Sequence, residues 1–248
     1  MQETKQEPPL QMFDQGKYHT AVNRFGVYAV DISTKHRPAT QMILRGQVHE
    51  PLTVEFIVNR CGSGDVVQAG VFFGDFLPPL AAGMPKSSLI WAFEPNPRSY
   101  FLAGRTVALN GLENVRLHNA ALSDEAGEFD LMIEDEAGKP LGGLSHLAGS
   151  GKITGGFSGK SVKIAVVKLD DAVPEDRVVS IIQLDVEGHE LQALSGARRI
   201  IGKNQPILIL ESVEDPADLA AIFPGLGYLP VGTLHGRNTV FLPESRFR

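Results

Sequence analysis

The sequence has little cysteine, little basic charge and no long apolar run. Cys61 is the single cysteine among 248 residues, which excludes an internal disulfide and a cysteine metal cluster and predicts a reducing, cytoplasmic location. The formal net charge of -6 argues against a nucleic-acid partner, because such a surface needs a basic face. Residues 1–20 lack the apolar stretch of a signal peptide and no run could span a bilayer, so no membrane partner is expected. A homo-oligomer is compatible with this composition.

An alternation of strand and helix patterns begins near residue 65. The apolar, strand-like segments are residues 66–69, 89–93, 115–119, 178–184 and 207–210. All but the third are almost continuously apolar, as parallel strands covered on both faces should be. Segments with helical spacing lie at residues 75–82, 98–110, 190–201 and 215–223. Two further strand-like segments follow at residues 228–233 and 239–242. A short turn joins them, which predicts that they form an antiparallel final pair. The pattern therefore predicts an α/β fold.

Two regions lie outside this alternation. Pro51 opens a predicted helix that stops near Gly62, so residues 1–62 are predicted to form an N-terminal extension with a cap helix and residues 63–248 the main domain. An insertion follows the third strand, in which residues 128–133 predict a further strand. Residues 138–160 contain eight glycines, and a segment of this length and composition is typical of a functional or a disordered loop. A substrate lid and a plain connector are equal alternatives for it.

A glycine-containing turn follows the first core strand and opens a helix. Gly70 is predicted to allow a tight turn and the close approach of a ligand, and Gly74 to let the helix pack on the sheet. The spacing is Gly-x-x-x-Gly, and Gln68 stands where the dinucleotide fingerprint has its first glycine. A nicotinamide-dependent oxidoreductase is therefore the less favoured function. An ordinary strand-to-helix turn explains this segment equally well.

Glu94 ends the second predicted strand, twenty residues after Gly74. An acid at this position can accept hydrogen bonds from both hydroxyls of a ribose. The alternative is an acid that stabilises a helix N-terminus, but the pairing with the glycine turn favours a nucleoside site. After the third strand, small residues within positions 119–124 could let an adenine ring lie against the backbone, and a generic turn explains this stretch almost equally well.

Four ionisable side chains follow the fourth strand within six residues, at the sheet edge where open α/β folds bind ligands. Asp185, Glu187 and His189 could supply a general base for a hydroxyl, because histidine titrates near neutral pH and burial raises the pKa of carboxyl groups. One alternative is a hard-metal site built from Asp185, Glu187 and Glu211. The other is a carboxylate network that holds the loops. Base catalysis is the favoured interpretation. The remaining histidines considered are predicted to be surface or packing residues: His36, His49, His118, His146 and His235.

Together these segments resemble the FkbM family of S-adenosylmethionine-dependent methyltransferases. The motifs run in the family's order over about residues 65–242 and comprise residues 70–76, 92–97, 110–115, 120–124, 168–171, 184–190 and 209–211. The resemblance implies a class I methyltransferase (Rossmann-like) fold, with a seven-stranded sheet of order 3-2-1-4-5-7-6 whose last strand is antiparallel. It implies O-methylation of a small-molecule hydroxyl, as in sugars or secondary metabolites. S-adenosylmethionine is the implied cofactor, and magnesium is a less favoured addition.

The resemblance also implies roles for individual residues. Glu94 would bind the ribose, Asp185 would face the methionyl or sulfonium end of the cofactor, and His189 would lie near the acceptor. The predicted cofactor-binding residues are Gln68, Gly70, Val71, Phe72, Gly74, Glu94, Pro95, Asn96, Ala121, Leu122 and Asp185. The predicted catalytic residues are Asp185, His189 and Glu187.

Gln68 departs from the family pattern. Most relatives place an acid at this position, near the cofactor's amino group, whereas Gln68 offers an amide oxygen without charge. The alternative function is therefore a protein of the same fold that binds the cofactor but has lost catalysis.

Overall fold

The structure is a computed structural model that describes residues 18–135, 137–138, 141, 144–147, 159–213 and 215–247. The strands are β1 (His19–Asn23), β2 (Gly26–Val30), β3 (Asp65–Ala69), β4 (Ile90–Phe93), β5 (Val115–His118), β6 (Ala121–Leu122), β7 (Gly127–Met132), β8 (His146–Leu147), β9 (Ser161–Val167), β10 (Val179–Leu184), β11 (Ile207–Leu210), β12 (Leu229–Leu234) and β13 (Asn238–Leu242). The helices are α1 (Pro38–Leu44), α2 (Pro51–Arg60), α3 (Leu77–Gly83), α4 (Pro97–Asn110), α5 (Leu169–Ala172), α6 (Glu190–Ser195), α7 (Arg198–Asn204) and α8 (Pro216–Ile222). Most of the predicted glycine-rich loop at 138–160, with its lid and connector alternatives, lies outside the described residues.

The largest sheet among the described residues has seven strands in the order β12-β13-β11-β10-β3-β4-β5. Numbered along the chain within this sheet, and read from its other edge, the order is 3-2-1-4-5-7-6, as predicted. β3, β4, β5, β10 and β11 are parallel, and β13 is antiparallel to both β11 and β12. The predicted fold class is therefore confirmed.

Helices cover both faces of this sheet, which explains why its central strands are apolar on both sides. Every residue of β3, β4 and β11 is buried. On one face, α6, α7 and α8 pack against strand residues such as Val67 and Ile182. On the other face, α2, α3 and α4 pack against residues such as Val66 and Ile181. Successive strand residues thus enter opposite cores, as the alternation of a β-strand requires.

The helix predicted over residues 190–201 is wrong as a single element, because the structure divides it into α6 and α7. Gly196 lies at the break, and a Cβ atom there would lie 2.0 Å from the carbonyl oxygen of Ser123. The loop after β6 therefore approaches the chain at the break, where only glycine leaves room. Residues 75–82 and 98–110 do contain helices, α3 and α4. Asn96 caps α4 by accepting hydrogen bonds from the backbone N–H groups of Arg98 and Ser99.

The sequence did not predict the hairpin of β1 and β2 as a unit, nor α1. The hairpin is held by α4, since Asn110 Oδ1 accepts from Val27 N at 2.9 Å and Thr106 Oγ1 accepts from Ala29 N at 3.1 Å. α2 begins at Pro51 as predicted and buries Val54 against the sheet. The chain between β2 and α2 then passes over the carboxyl edge of the sheet.

A second, four-stranded sheet of order β6-β9-β7-β8 accompanies the main one within the described residues. The strand predicted at residues 128–133 is confirmed as β7, which pairs antiparallel with β9 along its whole length. This sheet carries β6, and with it the small residues predicted to face an adenine ring. None of the described helices combines the length and the apolarity needed to cross a membrane.

Candidate active site

Two adjoining pockets lie among the described residues at the carboxyl edge of the main sheet. The first has a volume of about 530 Å³, open mouth included, and its lining includes the residues that follow β4, β5 and β10. The second has about 760 Å³ on the same measure and lies beneath α1 and the start of α2. Gly70 and Asp185 line both pockets. These volumes are typical of small-molecule sites, and the shared residues mark the junction between the two.

The glycine turn brings the tip of β3 against the tip of β10. Gly70 has φ +82°, and a Cβ atom there would lie 1.9 Å from the carbonyl oxygen of Asp185. The close approach predicted at Gly70 is therefore to the backbone of Asp185. Gly74 has φ +80° and packs its turn against Ala103 of α4. Val71 is buried in the core beneath the turn and does not appear in the described lining of either pocket.

Glu94 is fixed by two backbone donors at the first pocket. Its Oε2 accepts from Phe72 N at 2.7 Å and its Oε1 from Asn96 N at 2.9 Å. Phe72 has φ +51°, an unusual backbone for a bulky residue, and this conformation orients its N–H toward Glu94. Burial raises the pKa of Glu94 to about 8, although both hydrogen bonds oppose the shift. Protonated or ionised, a carboxyl group has acceptor sites beyond these two hydrogen bonds, so Glu94 retains capacity for ligand hydroxyls.

The rest of the first pocket is mainly apolar and small. Pro95, Ala121 and Leu122, all predicted to contact the cofactor, line it together with Ala120 and Leu131. Predicted cofactor-binding residue Asn96 does not appear in its described lining; instead it caps α4 and donates from Nδ2 to Ser145 Oγ at 2.9 Å. This apolar lining suits an aromatic ring.

The structure brings His189 to the first pocket. Its Nε2 lies 2.9 Å from Ser123 Oγ, which donates in turn to Asp124. Its Nδ1 is buried and has no hydrogen-bond partner among the described residues. Burial lowers the pKa of His189, and the charge of Asp124 opposes that shift. His189 is absent from the described lining of the second pocket, so its predicted place near the acceptor stays a prediction.

Two glutamines lie side by side at the floor of the second pocket. Gln68 of β3 pairs in register with Gln183 of β10, and both residues are at least nine-tenths buried. Neither side-chain carbonyl oxygen has a hydrogen-bond partner among the described residues. A buried acceptor without a partner costs about 1–3 kcal/mol. The pair is therefore a place where a ligand bearing N–H or O–H groups would be stabilised.

Asp185 stands at the junction of the pockets, with its backbone N–H donating to Ala69 O at 3.1 Å. Burial raises its pKa to about 7, the negative charges of Glu187 and Glu50 add to the shift, and Arg237 opposes it. Glu187 has φ +55° and lines the second pocket. The predicted catalytic residues Asp185 and Glu187 thus share a pocket.

The three carboxylates of the metal alternative also come together. Oxygen atoms of Asp185, Glu187 and Glu211 lie within 4.8 Å of one another. The guanidinium of Arg237 forms an ion pair with Glu211, so a cation of the protein already neutralises part of this cluster. The arrangement leaves the metal site an alternative.

His49 is a functional candidate that sequence reasoning missed. The sequence predicted a surface or packing role for it, and the structure adds that His49 lines the second pocket and that its Nδ1 lies 2.9 Å from Asp75 Oδ2. Asp75 is buried and follows directly after Gly74. The two residues are 26 positions apart, so local pattern cannot pair them. The sequence feature that could have indicated them is their position. Asp75 lies directly after the glycine turn, and His49 lies just before the cap helix.

Comparisons with known proteins agree with this architecture. A family model described as the methyltransferase FkbM domain matches residues 65–230. The solved structure of M. jannaschii TYW2 in complex with AdoMet is 14% identical, with a TM-score of 0.51; the match covers 92% of this chain and 86% of that one. This likeness shows the fold.

Two further solved structures are more distant in shape. Methyltransferase FkbM from Methylobacillus flagellatus KT is 20% identical with a TM-score of 0.47; the match covers 73% of this chain, which spans only 43% of that protein's length. A SAM-dependent methyltransferase from Aquifex aeolicus is 14% identical with a TM-score of 0.46, covering 86% of this chain and 98% of the other. A search of curated proteins found no match.

Proposed function

The chain belongs to the FkbM methyltransferase family, and from this premise we propose that it transfers a methyl group from S-adenosylmethionine to a hydroxyl of a small polar molecule. The observation that carries the proposal is the pair of pockets joined at Gly70 and Asp185. A methyl transfer needs a donor site and an acceptor site that meet at one point. The first pocket suits the adenosine of the donor. The second suits the acceptor, with the methionine portion of the donor reaching its floor at Gln68 and Gln183.

The residues present fit the cofactor. Glu94 has acceptor sites left for the ribose hydroxyls, and the apolar wall at Ala121 and Leu122 suits the adenine. The unpartnered oxygens of Gln68 and Gln183 are suited to an ammonium group such as that of the methionine portion. When bound, the cofactor would supply an electrophilic methyl carbon attached to a sulfonium. Gln68 would serve through hydrogen bonds rather than charge, which favours weaker binding than an acid would give.

The protein's part in the reaction is alignment and proton removal. Holding the acceptor oxygen in line with the methyl carbon removes the entropic cost of a two-molecule encounter. Asp185 and His189 are the two bases predicted from the sequence. Asp185 has the stronger support, since it lines both pockets and burial raises its pKa to about 7. His189 is engaged with Ser123 on the adenosine side, a position that supports a role in shaping the first pocket.

The lining of the second pocket favours a polyhydroxyl acceptor, such as a sugar, over an apolar one. Carboxylates and guanidinium groups surround it, including Glu50, Glu187 and Arg37. Such groups offer many donors and acceptors to hydroxyls. The net charge of -6 is unsuited to a nucleic-acid acceptor. We also propose that the reaction takes place in the cytoplasm and that the protein has no membrane partner. A homo-oligomer is compatible with this proposal.

The decisive experiment is a thermal-shift screen with S-adenosylmethionine, S-adenosylhomocysteine, NAD and NADP. The first two should raise the melting temperature and the nicotinamide cofactors should not. A methyl-release assay would follow with methyl glucoside, glucosamine, uridine and catechol as acceptors. Absence of any shift with the sulfur compounds would refute the proposal, and binding without transfer to any acceptor would favour the catalytically impaired alternative. Activity that survives EDTA would remove the metal alternative.

A further inference from the structure

We propose that His49, held by Asp75, is the catalytic base that takes the proton of the acceptor hydroxyl. The inference rests on the proposed methyl transfer and goes beyond it. It gives His49 the proton removal for which the sequence offered Asp185 and His189, and it leaves Asp185 to the cofactor at the junction of the pockets. Both residues line the second pocket, which meets the adenosine pocket at Asp185. A base in this pocket would stand on the acceptor's side of the reaction.

The hydrogen bond to Asp75 determines what His49 can do. With Nδ1 at 2.9 Å from Asp75 Oδ2, the imidazole donates its Nδ1–H to the carboxylate. The lone pair is then on Nε2, the nitrogen left for a ligand in the pocket. The side chain of Asp75 is 8% exposed and that of His49 is 23% exposed, so the pair is enclosed on the carboxylate side and accessible at the imidazole. An acid that orients a histidine and stabilises its protonated form is a recurrent arrangement in base catalysis.

Three side-chain hydrogen bonds hold the backbone next to His49. Glu50 has φ +43°, and its Oε2 accepts from Thr53 Oγ1 at 3.1 Å and from Asn238 Nδ2 at 2.7 Å. His235 Nε2 accepts from Leu52 N at 3.1 Å. The turn between β12 and β13 therefore fixes the start of α2, and with it the position of residue 49. A base must be held within reach of the proton that it removes, and these contacts supply that constraint.

The charges around His49 favour a basic imidazole. Burial lowers the pKa of His49, but the hydrogen bond and charge of Asp75 and the charge of Glu50 outweigh it, while Arg237 opposes them; the net pKa is raised. Arg37, Asp185 and Glu187 are the other charged groups that line this pocket. His189 differs in both respects, because its Nε2 already contacts Ser123 and burial lowers its pKa.

The proposed step balances without a further reactant. His49 Nε2 takes the hydroxyl proton as the acceptor oxygen forms its bond to the methyl carbon. The electron pair of the broken carbon–sulfur bond stays on sulfur, leaving S-adenosylhomocysteine. The imidazolium that results is stabilised by Asp75 and loses its proton to solvent after the product leaves.

The test compares His49→Gln and Asp75→Asn with His19→Gln, a matched change at an exposed histidine of β1. His49→Gln should lower kcat by about a hundredfold or more, the usual contribution of a positioned base, and leave the affinity for S-adenosylhomocysteine unchanged by calorimetry. Asp75→Asn should lower the pH below which kcat/KM falls (the acid limb of the pH profile), because it removes the charge that raises the pKa of His49. His19→Gln should behave as wild type.

Several outcomes would overturn the proposal. One is a His49→Gln variant whose kcat and pH profile equal those of the wild type, measured with whichever acceptor of the panel (methyl glucoside, glucosamine, uridine and catechol) the wild type methylates. Another is loss of kcat and of the acid limb in His189→Gln alone, which would assign the base to His189. These results differ from a failure of the proposed function, in which the wild type itself neither binds S-adenosylhomocysteine nor transfers a methyl group.

An NMR titration needs no acceptor. In the wild type with S-adenosylhomocysteine, the imidazole of His49 should titrate about one pH unit or more above its value in Asp75→Asn. Equal values would refute the dyad, even in a protein that methylates no member of the panel. The expected difference would support it.

Discussion

The two pockets differ in how completely their polar groups are satisfied. In the first, Glu94 receives two backbone hydrogen bonds, the rest of the wall is largely apolar, and Nδ1 of His189 is the one buried side-chain polar atom of its described lining without a partner. In the second, Gln68 and Gln183 have carbonyl oxygens without partners among the described residues, and several ionisable groups surround them. A pocket with satisfied groups accepts one rigid ligand with little rearrangement, whereas one with unsatisfied groups depends on its ligand for stability. Substitutions at the junction and in the two pockets should therefore differ in how strongly they change stability and ligand affinity.

The largest effect is expected where the pockets join. Gly70→Ala should lower the free energy of unfolding by roughly 4 kcal/mol, because the methyl group would overlap the carbonyl oxygen of Asp185 in a left-handed turn. Gly111→Ala is the matched control, since Gly111 is also left-handed but no described atom lies within 4 Å of the added Cβ. It should cost about 1 kcal/mol. Chemical denaturation measures both, and equal losses would show that the contact with Asp185 is unimportant.

In the first pocket, Glu94→Ala should weaken binding of S-adenosylhomocysteine on the order of 10- to 100-fold, because two ribose hydroxyls would each lose a hydrogen bond worth about 0.5–1.5 kcal/mol. Glu125→Ala, at an exposed position, is the control and should bind as wild type. Isothermal calorimetry gives both affinities. Unchanged affinity in Glu94→Ala would make the ribose assignment wrong.

At the junction, Asp185 should couple cofactor binding to pH. Its pKa of about 7 leaves the carboxyl largely protonated below neutrality, and a sulfonium nearby would favour the ionised form. Binding would then release a proton, so affinity for S-adenosylmethionine should rise about tenfold between pH 6 and pH 8. S-adenosylhomocysteine, whose sulfur is neutral, should show less dependence.

Calorimetry in two buffers of different ionisation enthalpy measures that proton directly. Asp185→Asn should abolish the release, because the amide does not titrate in this range. A wild type that binds both compounds with the same pH dependence would remove the sulfonium from the neighbourhood of Asp185.

The smallest effect is expected at the floor of the second pocket. Gln68→Ala or Gln183→Ala should weaken S-adenosylhomocysteine by about tenfold, the low end of the roughly 1.5–3 kcal/mol that a hydrogen bond to a charged group such as an ammonium contributes, because the other glutamine remains. 5′-Methylthioadenosine lacks the amino-acid portion and should bind each variant as it binds the wild type. Competition binding compares the two ligands. An equal loss for both would assign the glutamines to the fold rather than to the ammonium group.

Sequence patterns predicted the sheet and the first pocket well, because both depend on neighbouring residues. Apolar runs identified β3, β4, β10 and β11 to within a residue at each end. Parallel strands bring their carboxyl ends to one edge, so residues such as Glu94 and Asp185, directly after a strand, were predictable members of a site. The resemblance to the family supplied the strand order, which periodicity alone does not contain.

Other features were missed because they depend on contacts between distant segments. The break between α6 and α7 follows from the approach of the Ser123 carbonyl to Gly196, which helical spacing does not reveal. The contact of His189 with Ser123, 66 positions away, is likewise invisible to local patterns. The hydrogen bond between His49 and Asp75, 26 positions apart, is hidden from local patterns for the same reason.

The amino-acid sequence was sufficient for the fold class and for the residues at the strand tips, because the hydrophobic period and the turn chemistry are local properties. The folded chain was needed to divide those residues between two pockets and to join His49 to Asp75. Hydrogen bonding and burial depend on which distant groups come within about 3 Å, and that is settled by packing. The unpartnered oxygens of Gln68 and Gln183 belong to this second kind of information, since a glutamine in a strand becomes a binding group only when its neighbours leave it without a partner.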